Sequence, residues 1–169
     1  VDLMRSPELS VFDLEHEDPK TLARYGETDF GRAALLSRKL IETGVRFVQV
    51  NRGGFDNHQD IFDAMRTHGE VMDPALASLI EDLAASGKLD TTLVVVLSEF
   101  GRTPRINKNG GRDHWARVFS TIMFGGGVKG GHVIGSSDID GMGPEDRPVH
   151  VPDIHASVLH ALGINHGQE

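Results

Sequence analysis

The sequence predicts an α/β fold, a three-layer sandwich in which helices cover a largely parallel sheet. Apolar runs at 45–50, 91–97 and 119–124 have the length and the β-branched content of buried strands. An amphipathic helical stretch separates the first two runs, and others precede the first run and follow the last; such alternation of strands and helices is typical of parallel sheets. Open sheets usually contain about five or six strands, so we expect this chain to be part of a larger sheet.

Length and charge limit the classes of function. The 169 residues suit one domain with a sizeable core, and we expect an arm or linker at 1–17 followed by this domain at 18–169. The formal net charge of −8 argues against nucleic acid as a partner, because phosphate backbones require clustered Lys and Arg. No apolar run approaches the roughly 18 residues of a membrane span. The sequence leaves the oligomeric state open.

Four stretches are predicted to be helices, and capping residues mark where they begin. Asp18 followed by Pro19 is a typical helix start, and Thr28 can cap the second helix. Pro74 is expected to kink or restart the third helix, because proline lacks a backbone donor and clashes with the preceding turn. The predicted ranges are 18–25, 28–43, 61–86 and 152–162.

Acidic and imidazole side chains follow the predicted strands, at the edge where open α/β folds build ligand sites. The chain has no cysteine, which leaves carboxylates and histidines as the possible metal ligands. Such a donor set suits zinc, manganese or iron, or magnesium or calcium where oxygen ligands predominate. The candidate metal ligands lie in three loops and are Asp56, His58, Glu99, Asp113 and His114.

Two arginines flank the candidate carboxylates and are candidate catalytic residues. The planar guanidinium groups of Arg102 and Arg112 could clamp the oxygens of an anionic substrate. Each guanidinium could instead neutralise the nearby acidic side chains, which is the simpler interpretation of the same pattern.

Other roles are open for the candidate ligands as well. Asp56 could cap the following helix, and His58 could bond to a loop carbonyl. Glu99 ends a strand that is predicted to be buried, where an unpaired carboxylate is costly, so a salt bridge to an arginine is the alternative to a metal. Asp113 could hold a ligand histidine in place instead of binding the ion.

Several motifs follow one another along most of residues 22–166. They are Gly-Gly-Phe-Asp-Asn-His at 53–58, Ser-Glu-Phe-Gly-Arg-Thr-Pro at 98–104, Gly-Arg-Asp-His-Trp at 111–115, the glycine-rich turn at 125–131 and the segment 153–163. In this order they resemble the domain-of-unknown-function 1501 family. That family in turn resembles the alkaline phosphatase and sulfatase superfamily, in which an α/β sandwich holds one or two metal ions beside a nucleophile and hydrolyses phosphate or sulfate esters.

The resemblance implies metal ligands residue by residue. Glu99 stands where the superfamily has a ligand Asp, and Phe100 stands where it has a ligand His. Asp56 and His58 resemble the upstream ligands, and His114 resembles a later lone His ligand. The resemblance further implies a divalent ion, with zinc, manganese and calcium as candidates. It also implies a nucleophile upstream of this chain, which would make residues 18–169 the C-terminal part of an alkaline-phosphatase-like α/β domain.

What the resemblance implies about function is a metal-dependent hydrolase of phosphate or sulfate monoesters, acting on a small-molecule ester. It also implies a bacterial protein of a family whose members are often exported to the periplasm. The alternative is a non-catalytic binding or scaffold protein, which Phe100 favours because it cannot bind a metal. A flavodoxin-like small-molecule binder is a third hypothesis, and the missing phosphate-loop pattern argues against it.

Overall fold

The computed structural model describes residues 7–165 and 167. Over this part of the chain it has four α-helices, two short 3-10 helices at Pro7–Phe12 and Leu89–Thr91, and six short strands. The helices are α1 (Pro19–Tyr25), α2 (Asp29–Glu42), α3 (Ile61–Ala85) and α4 (Val151–Ala161). The strands are β1 (Leu93–Val96), β2 (Gly101–Arg102), β3 (His114–Trp115), β4 (Ile122–Gly125), β5 (Ser136–Ser137) and β6 (Pro144–Asp146).

The predicted three-layer, alkaline-phosphatase-like sandwich with a largely parallel sheet is wrong. Strand β1 pairs antiparallel with β4, with Leu93 opposite Gly125 and Val96 opposite Ile122. Strands β2 and β3 form a second antiparallel pair, and β5 and β6 a third, so every sheet in the described chain has two strands. An apolar run indicates a strand but not the direction of its neighbour, and here each neighbour runs the opposite way.

Two of the three predicted strands exist in altered form. Strand β1 occupies the centre of the predicted run 91–97, and β4 lies three residues later than the predicted start at 119. The run 45–50 is not a strand, and its Val45 and Phe47 side chains are 40% and 75% exposed. Apolar residues at alternate positions are compatible with an extended segment of any kind, because a strand also needs a hydrogen-bonded neighbour.

The predicted helices are present close to their expected bounds, and two of the capping predictions are confirmed. The Asp18 carboxylate accepts a hydrogen bond from the backbone N–H of Lys20, and the Thr28 hydroxyl accepts one from the N–H of Gly31. Helix α3 continues through Pro74 as one element, so the predicted restart does not occur.

The chain divides into two compact units, and the first comprises the described residues of Val1–Phe55 together with Asp63–Lys88. Its core is apolar and helical. The side chains of Leu35, Leu83 and Tyr25 are at most 1% exposed, and they come from α2, α3 and α1 respectively. The apolar positions of the amphipathic helices therefore supply this core as the sequence pattern indicates. The boundary expected after residue 17 stays a prediction.

A charged network lies beside the core of the first unit and is centred on Asp82. The Arg24 and Arg38 guanidinium groups donate to its carboxylate at 2.8 and 3.1 Å, and the Tyr25 hydroxyl donates to it at 3.0 Å. Burial and the neighbouring carboxylate raise the pKa of Tyr25 above its usual range, so the phenol stays protonated. The network joins α1, α2 and α3 through paired charges.

The second unit comprises Asp56–Phe62 and the described residues of Leu89–Glu169. Large apolar side chains are often exposed here: Ile61 is 5% exposed, but Val133 and Ile139 are 90% and 101% exposed. Hydrogen bonds between loops connect this unit instead, as where the Arg112 N–H donates to the Asn57 carbonyl at 3.1 Å. All the candidate site residues lie in this unit, so their geometry depends on loop hydrogen bonds.

No helix in the described part of the chain is both long enough and apolar enough to cross a lipid bilayer. This agrees with the expectation drawn from the lengths of the apolar runs.

Candidate metal centre

Three of the predicted ligands converge in the second unit, and we call Asp56, His58 and His114 the Asp56 cluster. Oδ1 of Asp56 lies 2.8 Å from Nε2 of His114 and 3.0 Å from Nε2 of His58. One potential ligand atom from each residue lies within 4.8 Å of the other two, and all three residues are exposed. The Asp56 cluster could therefore hold a metal ion that solvent can reach.

The spacing of these atoms fits a small divalent ion. Tetrahedral zinc binds nitrogen and oxygen ligands at about 2.0–2.2 Å, which places neighbouring ligand atoms about 3.3 Å apart. The two nitrogen–oxygen separations of 2.8 and 3.0 Å are only a few tenths of an ångström shorter. Small side-chain rotations would therefore admit the ion.

Short strands bring part of the cluster together. In the antiparallel pair β2–β3, Arg102 lies opposite His114. Directly opposed residues of such a pair have neighbouring side chains, so β2 and β3 place the guanidinium beside the imidazole. Nη1 of Arg102 donates to the same Oδ1 of Asp56 at 2.8 Å. One guanidinium nitrogen and two imidazole nitrogens thus lie within 3.0 Å of Oδ1 of Asp56.

Aromatic contact further restricts the imidazole of His114. The ring of Phe100 lies 4.6 Å from it, centroid to centroid, at a 44° angle. The Arg102 guanidinium lies 5.7 Å from the centroid of the same Phe100 ring. Phe100, which has no metal-binding atom, forms an apolar contact surface for two members of the site.

The carboxylate of Asp113 contacts the ring nitrogen of His58 that faces away from Asp56. Its Oδ1 lies 2.8 Å from Nδ1 of His58, on the ring edge away from Asp56. When a metal binds Nε2 of a histidine, a carboxylate at Nδ1 holds the remaining proton and orients the ring. This position fits the alternative role that the sequence left open, and the role of Asp113 as a metal ligand stays a prediction.

Hydrogen bonds hold both carboxylates of the site in the ionised form. The bond from His114 and then that from Arg102 lower the pKa of Asp56 to about 2. The bonds from His58 and then from Asn107 lower the pKa of Asp113 below its usual value. Because metals bind carboxylates and not carboxylic acids, the lowered pKa keeps Asp56 available as a ligand to a lower pH than an ordinary aspartate.

The other two predicted site residues lie outside the Asp56 cluster. Arg112 donates from Nη1 to the carbonyl oxygens of Thr103 and Pro104 at 2.6 and 2.8 Å, so its guanidinium fastens the loop. Glu99 is exposed and is not among the residues that the structure brings together. The roles predicted for Arg112 as an anion clamp and for Glu99 as a ligand stay predictions.

Sequence reasoning missed residues that position the site. Asn107 donates to both the His58 carbonyl and the Asp113 carboxylate, and the Thr103 hydroxyl accepts from the Asp113 N–H at 3.1 Å. The run Asn-Lys-Asn-Gly-Gly at 107–111 could have indicated this role of Asn107. Asparagine side chains in turns commonly bond to the backbone two residues further on. Gly111 is required there, because a Cβ would overlap the backbone of His58.

Comparison with known proteins identifies the family of the chain but adds no functional assignment. No curated protein and no solved structure matches the chain. The family described as "Protein of unknown function (DUF1501)" matches residues 2–169. The motifs that contain Asp56, His58, Asp113 and His114 all fall within this match. Because the match extends over nearly the whole chain, this protein belongs to the DUF1501 family.

Proposed function

We propose that this protein is a metal-dependent hydrolase of phosphate or sulfate monoesters, with its metal ion bound by Asp56, His58 and His114. The observation that supports the proposal is the convergence of two imidazole nitrogens on one carboxylate oxygen at 2.8 and 3.0 Å. Three protein ligands in an exposed position leave room for water or substrate on the metal, as in catalytic zinc sites. A metal in such a site polarises the ester oxygen and lowers the pKa of bound water.

The donor set supports one group of metals over another. Two imidazoles with one carboxylate suit zinc, manganese or iron, whereas calcium prefers six or more oxygen ligands. Of the ions considered from the sequence, zinc and manganese therefore fit the Asp56 cluster better than calcium.

The loop beside the cluster supports an anionic substrate. Residues 102–112 contain four cations, Arg102, Arg105, Lys108 and Arg112, and no acidic residue, in a chain of net charge −8. Arg102 and Arg112 bond to groups within the protein, whereas Arg105 and Lys108 are exposed. A cationic loop on an acidic protein raises the local concentration of phosphate or sulfate esters.

Metal titration followed by turnover tests this proposal. Calorimetry with zinc and manganese should show one site that is lost in His58→Ala and in His114→Ala. The matched control is His132→Ala, because His132 is exposed and lies outside the cluster. The complete gene product, loaded with metal, should hydrolyse p-nitrophenyl phosphate or p-nitrophenyl sulfate. Absence of metal binding, or binding that survives both cluster substitutions, would overturn the proposal.

A second candidate function is a non-catalytic binding protein, and the Arg102 contact favours it. With Arg102 at 2.8 Å, the Asp56 carboxylate already has a permanent positive partner. The cluster can then hold the loops together without taking part in chemistry. Metal binding with no turnover of either ester by the complete gene product would support this candidate over the hydrolase.

A further inference from the structure

We propose that Asn107 is a positioning residue of the metal centre, acting on His58 through Asp113. This inference rests on the proposed metal site, which it extends to a residue that touches neither the ion nor a substrate. Asn107 lies in the loop between β2 and β3, whereas the residues it holds lie on two different segments of the second unit.

The Asn107 side chain uses its complete hydrogen-bonding capacity. Its Nδ2 donates to the carbonyl of His58 at 3.0 Å and to Oδ1 of Asp113 at 3.1 Å. Its Oδ1 accepts from the N–H groups of Asn109 and Gly111 at 2.9 and 3.0 Å. An amide side chain has two N–H donors and two acceptor positions, so every one of them is engaged.

The network also fixes which way the amide points. If the amide oxygen and nitrogen of Asn107 were exchanged, its NH2 group would face the N–H groups of Asn109 and Gly111. Its oxygen would face the carbonyl oxygen of His58 and the carboxylate oxygen of Asp113. Four contacts would become repulsive together, so a single orientation is allowed. Asn107 therefore presents a donor to Asp113 in a defined direction.

The two donor bonds act on one ligand from two sides. The bond to the His58 carbonyl holds its backbone, and the bond to Asp113 holds the carboxylate that orients its imidazole. Since Oδ1 of Asp113 accepts from both Asn107 and His58, movement of the amide changes the direction of that oxygen at the ring. The chain of contacts runs from Asn107 to Asp113 to Nδ1 of His58, and it ends at the Nε2 atom that faces Asp56.

Hydrogen bonds that do not involve these side-chain contacts hold the backbone around Asn107 in place. Its own N–H donates to the carbonyl of Gly111 at 2.8 Å, and the N–H of Gly110 donates to its carbonyl at 3.1 Å. Gly110 also forms a β-bridge with Gln59. The side chain of Asn107 therefore extends from a closed turn, which is the condition for holding another residue in place.

A double-mutant cycle on zinc affinity tests the inference. Partners behind a metal-binding histidine typically contribute about 10- to 100-fold in affinity. We expect Asp113→Ala to weaken zinc binding by about that range, and Asn107→Ala by about tenfold at most. If Asn107 acts mainly through Asp113, the loss of zinc affinity in the double variant is smaller than the product of the two single losses. Multiplicative losses in the double variant would show that Asn107 acts elsewhere and would overturn the inference.

Two further variants separate positioning from loop structure. Asn107→Ser keeps an oxygen that can accept from the Asn109 N–H, but its hydroxyl is too short to reach Asp113. It should lose zinc affinity as Asn107→Ala does while the thermal midpoint of the metal-free protein stays closer to wild type. The matched control is Asn109→Ala, which retains the backbone N–H that bonds to Asn107 and should bind zinc normally.

The result for the wild-type protein distinguishes the two proposals. If neither wild-type protein nor any variant binds zinc or manganese, the metal-centre proposal fails. If wild-type protein binds zinc and His58→Ala abolishes binding, but Asn107→Ala and Asn107→Ser bind like wild type, only the inference about Asn107 is overturned.

Discussion

His58 and Asp113 are joined by a 2.8 Å contact between Nδ1 and Oδ1, and this contact leaves Nε2 of His58 directed at Asp56. The two residues are 55 positions apart in the chain. Their pairing joins two separate polar loops and orients the imidazole, as carboxylates do behind metal-binding histidines. The candidate site therefore depends on the loop contacts of the second unit.

Removing the competing cation at Asp56 should strengthen metal binding. In Arg102→Met, the guanidinium that lies 2.8 Å from Oδ1 of Asp56 is lost, so an incoming ion meets less repulsion and no competitor. We expect zinc affinity to rise about two- to fivefold, as fits an exposed ion pair. Calorimetry at constant pH and salt measures this change. Arg105→Met removes a nearby exposed cation and should change the affinity less; weaker binding in Arg102→Met would instead mean that Arg102 aligns Asp56 for the metal.

Adding a methyl group at Gly111 should disrupt the site through the backbone. A Cβ at this position would overlap backbone atoms of His58 and Gln59, which cannot move as freely as a side chain. We expect Gly111→Ala to reduce the free energy of unfolding by about 1–3 kcal/mol and to weaken zinc binding. Urea unfolding and zinc titration measure the two effects. Gly130→Ala is the control, because its added Cβ would have no neighbour within 4 Å; equal behaviour of the two variants would contradict this account.

The sequence predicted the helices better than the sheet, for a physical reason. Helix caps such as Asp18 and Thr28 act within a few residues, so the local sequence contains the signal. The partner of β1 lies about 30 residues away at β4, and no local pattern states whether it runs parallel or antiparallel. The interpretation of the run 45–50 as a strand failed for the same reason, because nothing local decides whether a neighbour pairs with it.

The site could be predicted in part because its ligands lie in short polar motifs. Residue type alone indicated Asp56, His58 and His114, and the structure brings these three together. The contact of Asp113 with Nδ1 of His58 depends on a turn that only the three-dimensional structure shows. Asn107 was missed because asparagine in a glycine-rich loop usually indicates a turn and nothing more.

Truncating a core side chain of the first unit should be costly. Leu83 of α3 is 1% exposed, so Leu83→Ala removes apolar contacts and leaves a cavity. The free energy of unfolding should fall by about 2–5 kcal/mol. Urea unfolding followed by circular dichroism measures it. Leu97→Ala, at a position that is 64% exposed, makes the same chemical change and should alter stability by only about 0.5 kcal/mol. A similar loss in both variants would contradict the assignment of the core.

The ion pair between Glu17 and Lys39 should make the first unit more stable at neutral than at acidic pH. Oε2 of Glu17 lies 2.7 Å from Nζ of Lys39, and the two side chains are 18% and 21% exposed. This hydrogen bond lowers the pKa of Glu17 below its ordinary value of 4.5. Because the folded state binds the proton less tightly than the unfolded state, the stabilisation is complete well above pH 4.5 and is lost as the pH falls through the lowered pKa.

Replacing the carboxylate with an amide gives a direct test of this dependence. At pH 7, Glu17→Gln should cost at most about 1 kcal/mol of unfolding free energy, as for a partly exposed pair. The difference from wild type should shrink as the pH falls below 4.5 and vanish once Glu17 is protonated in the folded wild-type protein. Urea unfolding at a series of pH values measures the difference. Glu15→Gln is the control, since Glu15 is an exposed acid of the same segment. A Glu17→Gln penalty that stays constant across the series would mean that packing, and not the ion pair, accounts for the effect.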